Sequence, residues 1–265
     1  MPARKAFTLV ELLVVIAIIA LLMSILMPSL SRARNQAKAA ICQSRLKQWG
    51  VVFTMYTNDH DGYTPGLGAG DWTMTGTGGW WMNPLRPYYK EPDLKLCPSA
   101  TKPYTEGGTV PFGAWTINEY YYDIWDVDPP VYGSYGPNGW IAHAVEEDQD
   151  FKWFVESWEF HWRSFNVNNS DQIPLMLDCI TVDGWPHHTN DPPEFEGWYS
   201  LAMVDEMKRF CLNRHDAHVN GVFMDCSVRK IGLKELWQLR WNRDYYLNYP
   251  LPVWPPWMTK FKDYE

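Results

Sequence analysis

The chain has 265 residues, 46% of them hydrophobic, and a formal net charge of −8, which suits one domain with a core of ordinary size. The acidic balance and the lack of a basic cluster argue against a nucleic-acid partner. None of the five cysteines (Cys42, Cys97, Cys179, Cys211, Cys226) forms a CxxC pair, so neither a zinc ribbon nor a thioredoxin-type motif is indicated.

From Phe7 to Met27 the side chains are apolar except for Thr8, Glu11 and Ser24. About 20 residues at roughly 1.5 Å each cross a hydrocarbon layer of about 30 Å. That run exceeds the roughly 7–15 apolar residues of a secretory signal, and no A-x-A cleavage pattern follows it. Instead "MPSLSRARNQAKAA" turns directly into an amphipathic helix. Arg4 and Lys5 precede the run while Arg32, Arg34 and Lys38 follow it, so counting positive charges leaves its orientation undecided.

Beyond Pro28, Ala33, Ala37, Ile41, Trp49, Val52, Phe53 and Tyr56 recur at helical spacings. One helix is predicted from Thr8 to about Thr57, with a membrane half (7–28) and an amphipathic half (29–57). Gly50 within it costs about 1 kcal/mol relative to Ala. The turn-rich "TNDHDGYTPGLGAGDW" ends the helix. In "NDHDG", Asn58, Asp59 and Asp61 supply hard oxygens beside Gly62, as a calcium loop requires, although the full EF-hand pattern is absent. The competing reading is a plain Asx-turn.

Residues 58–265 read as a loop-rich β domain. "AWTINEYYYDIW" and "SYGPNGWIAH" are short strands or extended loops, and residues 146–165 suggest a short amphipathic helix. Strands are expected at 173–183, 207–215 and 220–231, the last two forming a hairpin around "DAHVNG". "LKELWQLRWNRDYY" reads as a short helix with Leu236, Trp237 and Leu239 inward, followed by a proline-rich tail that wraps the surface. The fold class is therefore α+β: a long N-terminal helix laid on an antiparallel sheet, with long aromatic-rich loops.

His215 and Asp225 fall on the two arms of the expected hairpin, where they can face each other and hydrogen-bond. A metal site drawn from His215, His218, Asp225, His187 and His188 matches no standard zinc spacing. Cys179 and Cys211 lie in candidate neighbouring strands and could pair, as could Cys179 and Cys226. The Trp and Tyr clusters serve either as core filling for irregular loops or as a platform for polysaccharide.

The stretch "KAFTLVELLVVIAIIALLMSILMPSLSRARNQAK" resembles the N-terminus of type IV prepilins and type II secretion pseudopilins. The resemblance implies a pilin-like fold and a leader (1–6) cut by a prepilin peptidase between Ala6 and Phe7, where the family prefers Gly before the cut. It puts Glu11 at the family's acidic position and Pro28 where a helix-kinking proline often stands. The carboxylate of Glu11 would then pair with the new, methylated α-amino group of Phe7 on a neighbouring subunit.

"NGVFMDCSVRKIGLKELWQLRW", "ICQSRLKQWGVVFTMYTNDHDGYTP" and "KLCPSA" resemble a planctomycete-like subclass with an H-x9-D-G signature. Here His215 and Asp225 supply the pair and Cys226 replaces the final Gly. Co-occurrence of these blocks implies a Cys42–Cys97 disulfide.

Taken together, the resemblance implies a non-enzymatic subunit of a pseudopilus or pilus-like filament. It would be a single-pass protein of the bacterial inner membrane with a cytoplasmic N-terminus. Its partners would be identical or related subunits, the peptidase, the inner-membrane assembly machinery and lipid. No cofactor is implied beyond the calcium reading of the 58–62 loop. The alternatives are an adhesive, glycan-binding filament subunit and a membrane-tethered metal-dependent hydrolase.

Overall fold

The first element is the helix that the apolar pattern demands. α1 runs without interruption from Leu9 to Asp59 through Pro28, in a computed structural model that describes residues 9–66, 81–116, 132–143, 158–197 and 205–264. Proline removes one backbone donor. The hydroxyls of Ser24 and Ser29 donate back to the carbonyls of Leu21 and Leu26 at 2.7 and 2.8 Å, which keeps these polar groups satisfied inside an apolar segment. The chain divides into two units, Met1–Lys38 and Ala39–Glu265.

Within the second unit, α1 buries Ala39, Cys42, Leu46, Trp49, Val52 and Phe53. The face differs from the expected one in its first half, since Ile41 is exposed and the seam passes instead through Cys42 and Leu46. The reason is that Cys42 and Leu46 continue the Trp49–Phe53 stripe at helical spacing, whereas Ile41 lies beside it. Trp49 anchors the stripe: its indole donates to the Leu94 carbonyl at 2.9 Å, and its ring meets Trp81 and Tyr89 edge-on. Gly50 explains itself here, because a Cβ at that position would lie 3.0 Å from a Val222 methyl. The helix costs its glycine so that the sheet can approach.

Two sheets carry the rest. In the first, β1 (Lys102–Pro103) pairs in parallel with β2 (Gly113–Thr116), which pairs antiparallel with β3 (Tyr132–Gly133). The second is wholly antiparallel, in the order β4 (Tyr135–Pro137), β5 (Pro174–Asp178), β6 (His218–Phe223), β7 (Val228–Gly232). β5 is buried along its whole length, as a central strand reading "PLMLD" should be. Asn138, at the end of β4, ties three segments together. Its amide donates to the carbonyls of Pro174 and Trp241, and its oxygen accepts from the Trp140 N–H.

Several expected elements are corrected. Residues 207–215 are not a strand: Glu206–Arg209 form a 3-10 turn and the next residues are irregular. The expected single strand 220–231 is itself the hairpin, β6 and β7 joined across Met224–Ser227. Alternation misled here because "MDCS" contains none of the glycine or asparagine that usually marks a tight turn. Cys226 takes the left-handed conformation instead, at φ 64°. The expected helix at 146–165 lies outside the described residues up to 157, and its remainder contains one 3-10 turn, Trp158–Phe160. The segment after β7 is a 3-10 helix, Lys234–Gln238, with Leu236, Trp237 and Leu239 buried as expected. The tail runs over the surface, held where Trp254 meets Trp237 and where the Trp257 indole donates to Pro193.

Candidate functional site

Two places in the molecule concentrate chemistry. The first is the start of α1. Its large apolar side chains from Leu9 to Met27 lie between 45 and 78% exposed, and the stretch is long and apolar enough to cross a membrane. Glu11 stands in the first turn, where the positive end of the helix dipole favours an anion. Ala6 and Phe7 lie outside the described residues; Pro28 lies inside the helix.

The second is a buried cluster in the globular unit that no stretch of sequence announces. Asp178 ends β5, Cys42 projects from α1, Cys97 sits in the tight turn closed by the Ala100 N–H on the Cys97 carbonyl, and His215 precedes β6. One ligand atom from each lies within 4.8 Å of the others. The Cys97 sulfur is 3.3 Å from Nε2 of His215, and the same nitrogen is 3.3 Å from Asp178 Oδ2. The Cys42 sulfur is 3.8 Å from each carboxylate oxygen of Asp178.

A second layer fixes these groups. Arg214, itself buried, donates to Asp178 Oδ1 at 3.0 Å and to the carbonyls of Pro111, Ser134 and Cys179. The Asn220 N–H donates to Asp178 Oδ2 at 2.8 Å, and the Cys97 N–H donates to the Ser134 hydroxyl. Asp216 and Ala217, both at positive φ, make a tight turn in which the His215 N–H donates to the His218 carbonyl, and this turn aims the imidazole inward. The Tyr135 hydroxyl, fully buried, lies against the Cys42 thiol and interacts with it.

Charges are strongly coupled in this space. Burial opposes ionisation of Asp178, but His215, Arg214 and the Asn220 N–H outweigh it and hold the carboxyl down at about 2. Burial likewise works against the His215 cation, yet Asp178 and Cys97 bring the imidazole up to about 9. Cys97, whose burial alone would raise it, is drawn down to about 6 by hydrogen bonds from Cys42 and His215 and by the charge of Arg214. Cys42 is pushed the other way, by burial first and then by its anionic neighbours.

His215 is therefore the one residue of the expected metal and signature sets that enters this cluster. Asp225 is exposed in the β6–β7 turn, where its carboxylate accepts from the Ser227 N–H, so it does not face His215 across a ladder. The register explains this, because both arms of the real hairpin lie C-terminal to His215. His218 contacts the Asp216 carbonyl, while the His187 and His188 rings lie tilted against each other, with His188 beside Tyr249. The "NDHDG" stretch closes the helix: the Gly62 N–H donates to the Thr57 carbonyl, Asp61 and Gly62 are left-handed, and Asp59 accepts from the Tyr88 hydroxyl.

No disulfide joins the five cysteines in this structure. Cys42 and Cys97 do come together, and their sulfurs also contact the acid and the imidazole respectively. Cys179 and Cys226 are separate, Cys179 against Thr181 and Cys226 against Thr54 and the Gly50 carbonyl, and Cys211 is buried. The residue that sequence reasoning missed is Asp178. Its signal was a lone acid inside "PLMLDC", a charge that a fully buried strand tolerates only with partners.

A long helix, apolar and then amphipathic, leading into a domain in which it lies on a small antiparallel sheet, defines a pilin-like α+β architecture. The comparisons agree at the N-terminus. Residues 1–27 match the model of the prokaryotic N-terminal methylation motif. The type IV wide pilus major component PilA4 of Thermus thermophilus is 42% identical over 69 residues, 26% of this chain and 53% of that protein. The ComG operon protein 3 homolog of Bacillus licheniformis is 34% identical over 62 residues, 23% of this chain and 64% of that one. The matched region thus spans less than two thirds of the length of either relative. No solved structure matches the chain. The motif and these relatives support a pilin-like N-terminal segment.

Proposed function

We propose that this chain is a prepilin-like filament subunit, cleaved between Ala6 and Phe7 and assembled through α1 into a type IV pilus-like or type II secretion pseudopilus filament. The carrying observation is the apolar surface of α1 from Leu9 to Met27, left exposed by its own chain. Such a surface needs a second solvent: lipid before assembly, and the helices of other subunits afterwards. In this reading the short basic leader stays cytoplasmic, the globular unit is exported, and a prepilin peptidase and inner-membrane machinery act on the chain. The His215 and Asp225 pair belongs to the planctomycete-like subclass signature, with Cys226 in place of its glycine.

Glu11 is the part of this reading most open to test. A carboxylate deep in a bilayer costs about 2.5–3.5 kcal/mol on insertion scales. Its position in the first turn lowers that cost, and cleavage supplies a partner, the α-amino group of Phe7 on a neighbouring helix, with a reference pKa of about 7.7–8.0. A costly polar group is retained where it sets register. Glu11→Ala should leave membrane insertion intact while stopping or misregistering assembly. Filaments of normal abundance and axial repeat from this variant would show that the pairing does not operate.

The adhesive alternative draws less from the fold. Trp49, Trp81, Trp115, Trp140, Trp162, Trp237 and Trp241 are buried and serve as core filling rather than as an exposed platform.

A further inference from the structure

We propose that Cys42, Cys97, Asp178 and His215 form a structural site for a soft, four-coordinate divalent metal, with zinc as the fitting ion. The site is independent of the filament reading, since all four residues belong to the globular unit.

The geometry carries the proposal. Zinc bonds of about 2.3 Å to sulfur, about 2.0–2.1 Å to nitrogen and about 2.0–2.2 Å to oxygen set the edges of a tetrahedral ligand shell. Sulfur to nitrogen and sulfur to oxygen come to about 3.5 Å, and nitrogen to oxygen to about 3.3 Å. The corresponding separations are 3.3 Å for Cys97 to His215, 3.8 Å for Cys42 to Asp178 and 3.3 Å for His215 to Asp178. Four donors from four separate segments converge to the size of one ion's shell.

Hydrogen bonding alone does not account for the arrangement. Nε2 of His215 faces both the Cys97 sulfur and Asp178 Oδ2, and one ring nitrogen has one N–H or one lone pair to offer. A catalytic relay would place the thiol and the acid on opposite ring nitrogens. A cation between the donors uses the Nε2 lone pair, both sulfurs and the carboxylate at once. It also turns the Cys42 sulfur beside the buried Tyr135 hydroxyl into a thiolate, a better acceptor for that hydroxyl.

Charge closes in the same way. Two thiolates and one carboxylate around a dication leave one negative charge, and the buried guanidinium of Arg214, already bonded to Asp178, cancels it. Arg214, the Asn220 N–H and Ser134 are the outer partners that orient such ligands. The donor set of two sulfurs, an imidazole and an acid suits zinc over calcium or magnesium, which prefer oxygen.

The test uses the full-length chain, extracted in mild detergent and purified without chelator. Elemental analysis should find about one zinc per chain, and denaturation into a chromogenic chelator should release it while exposing Cys42 and Cys97 as free thiols. Exchange for Co2+ should give the intense visible absorption of tetrahedral cobalt with a thiolate charge-transfer band. His215→Gln should weaken binding by more than the roughly 10–100-fold expected for loss of an outer partner, and Cys226→Ser should change neither stoichiometry nor spectrum. The wild-type cobalt spectrum and thiol accounting stand even if a ligand variant fails to fold. Recovery of a Cys42–Cys97 disulfide from the natively purified chain would overturn the proposal. So would failure of the reduced chain to bind zinc or cobalt.

Discussion

Asp183 shows how a single buried side chain makes stability depend on pH. It shares Arg209 with Glu206: the guanidinium lies 3.6 Å from Asp183 and 3.0 Å from Glu206, and all three residues are buried. Burial dominates and raises the Asp183 carboxyl to about 7, with Arg209 opposing and Glu206 adding to the rise. The folded chain thus holds a proton that the unfolded chain releases near pH 4, so between those values folding takes up a proton. The contribution is fully present below about pH 4 and is lost as pH rises through about 7. Urea midpoints measured at pH 5 and at pH 8 should therefore include a term favouring the lower pH, and Asp183→Asn should remove that term. An unchanged pH difference in the variant would place the dependence elsewhere.

The long helix and its contact with the sheet illustrate what the sequence does and does not disclose about an element. The C-terminal end of α1 was legible to within two residues, about Thr57 against Asp59, because only Pro28 and Gly50 interrupt a long helical pattern before the turn-rich stretch. Its buried seam was legible only from Trp49 onward, since Cys42 and Leu46 are marked by the sheet they meet. Gly50 looked like a cost and proves to be the point of closest approach to Val222. Gly50→Leu should destabilise the globular unit by about 1–3 kcal/mol through overpacking, read as a lower urea midpoint. Stability equal to or above wild type would mean that the helix can shift off the hairpin without cost. The β6–β7 hairpin was displaced in the sequence reading because "MDCS" lacks the glycine or asparagine that usually marks a tight turn. The buried cluster escaped it altogether: Cys42, Cys97, Asp178 and His215 are brought together only by tertiary structure, and the acid that joins them looks like one more strand residue.

For the whole molecule, the leader and the net charge matter together. Loss of residues 1–6 removes Arg4 and Lys5, making the side-chain charge two units more negative than the −8 of the full sequence. Packing many such subunits side by side is opposed by self-repulsion. Added salt or divalent cations should accordingly speed assembly of the mature chain, monitored by light scattering or electron microscopy; assembly that slows with salt would point to attraction between subunit faces instead. All of this presupposes processing. Mass spectrometry of the N-terminus of the chain purified from its native membrane tests that directly. The expected first residue is Phe7, carrying an N-methyl group; an intact Met1, or a cut beyond Met27, would contradict it.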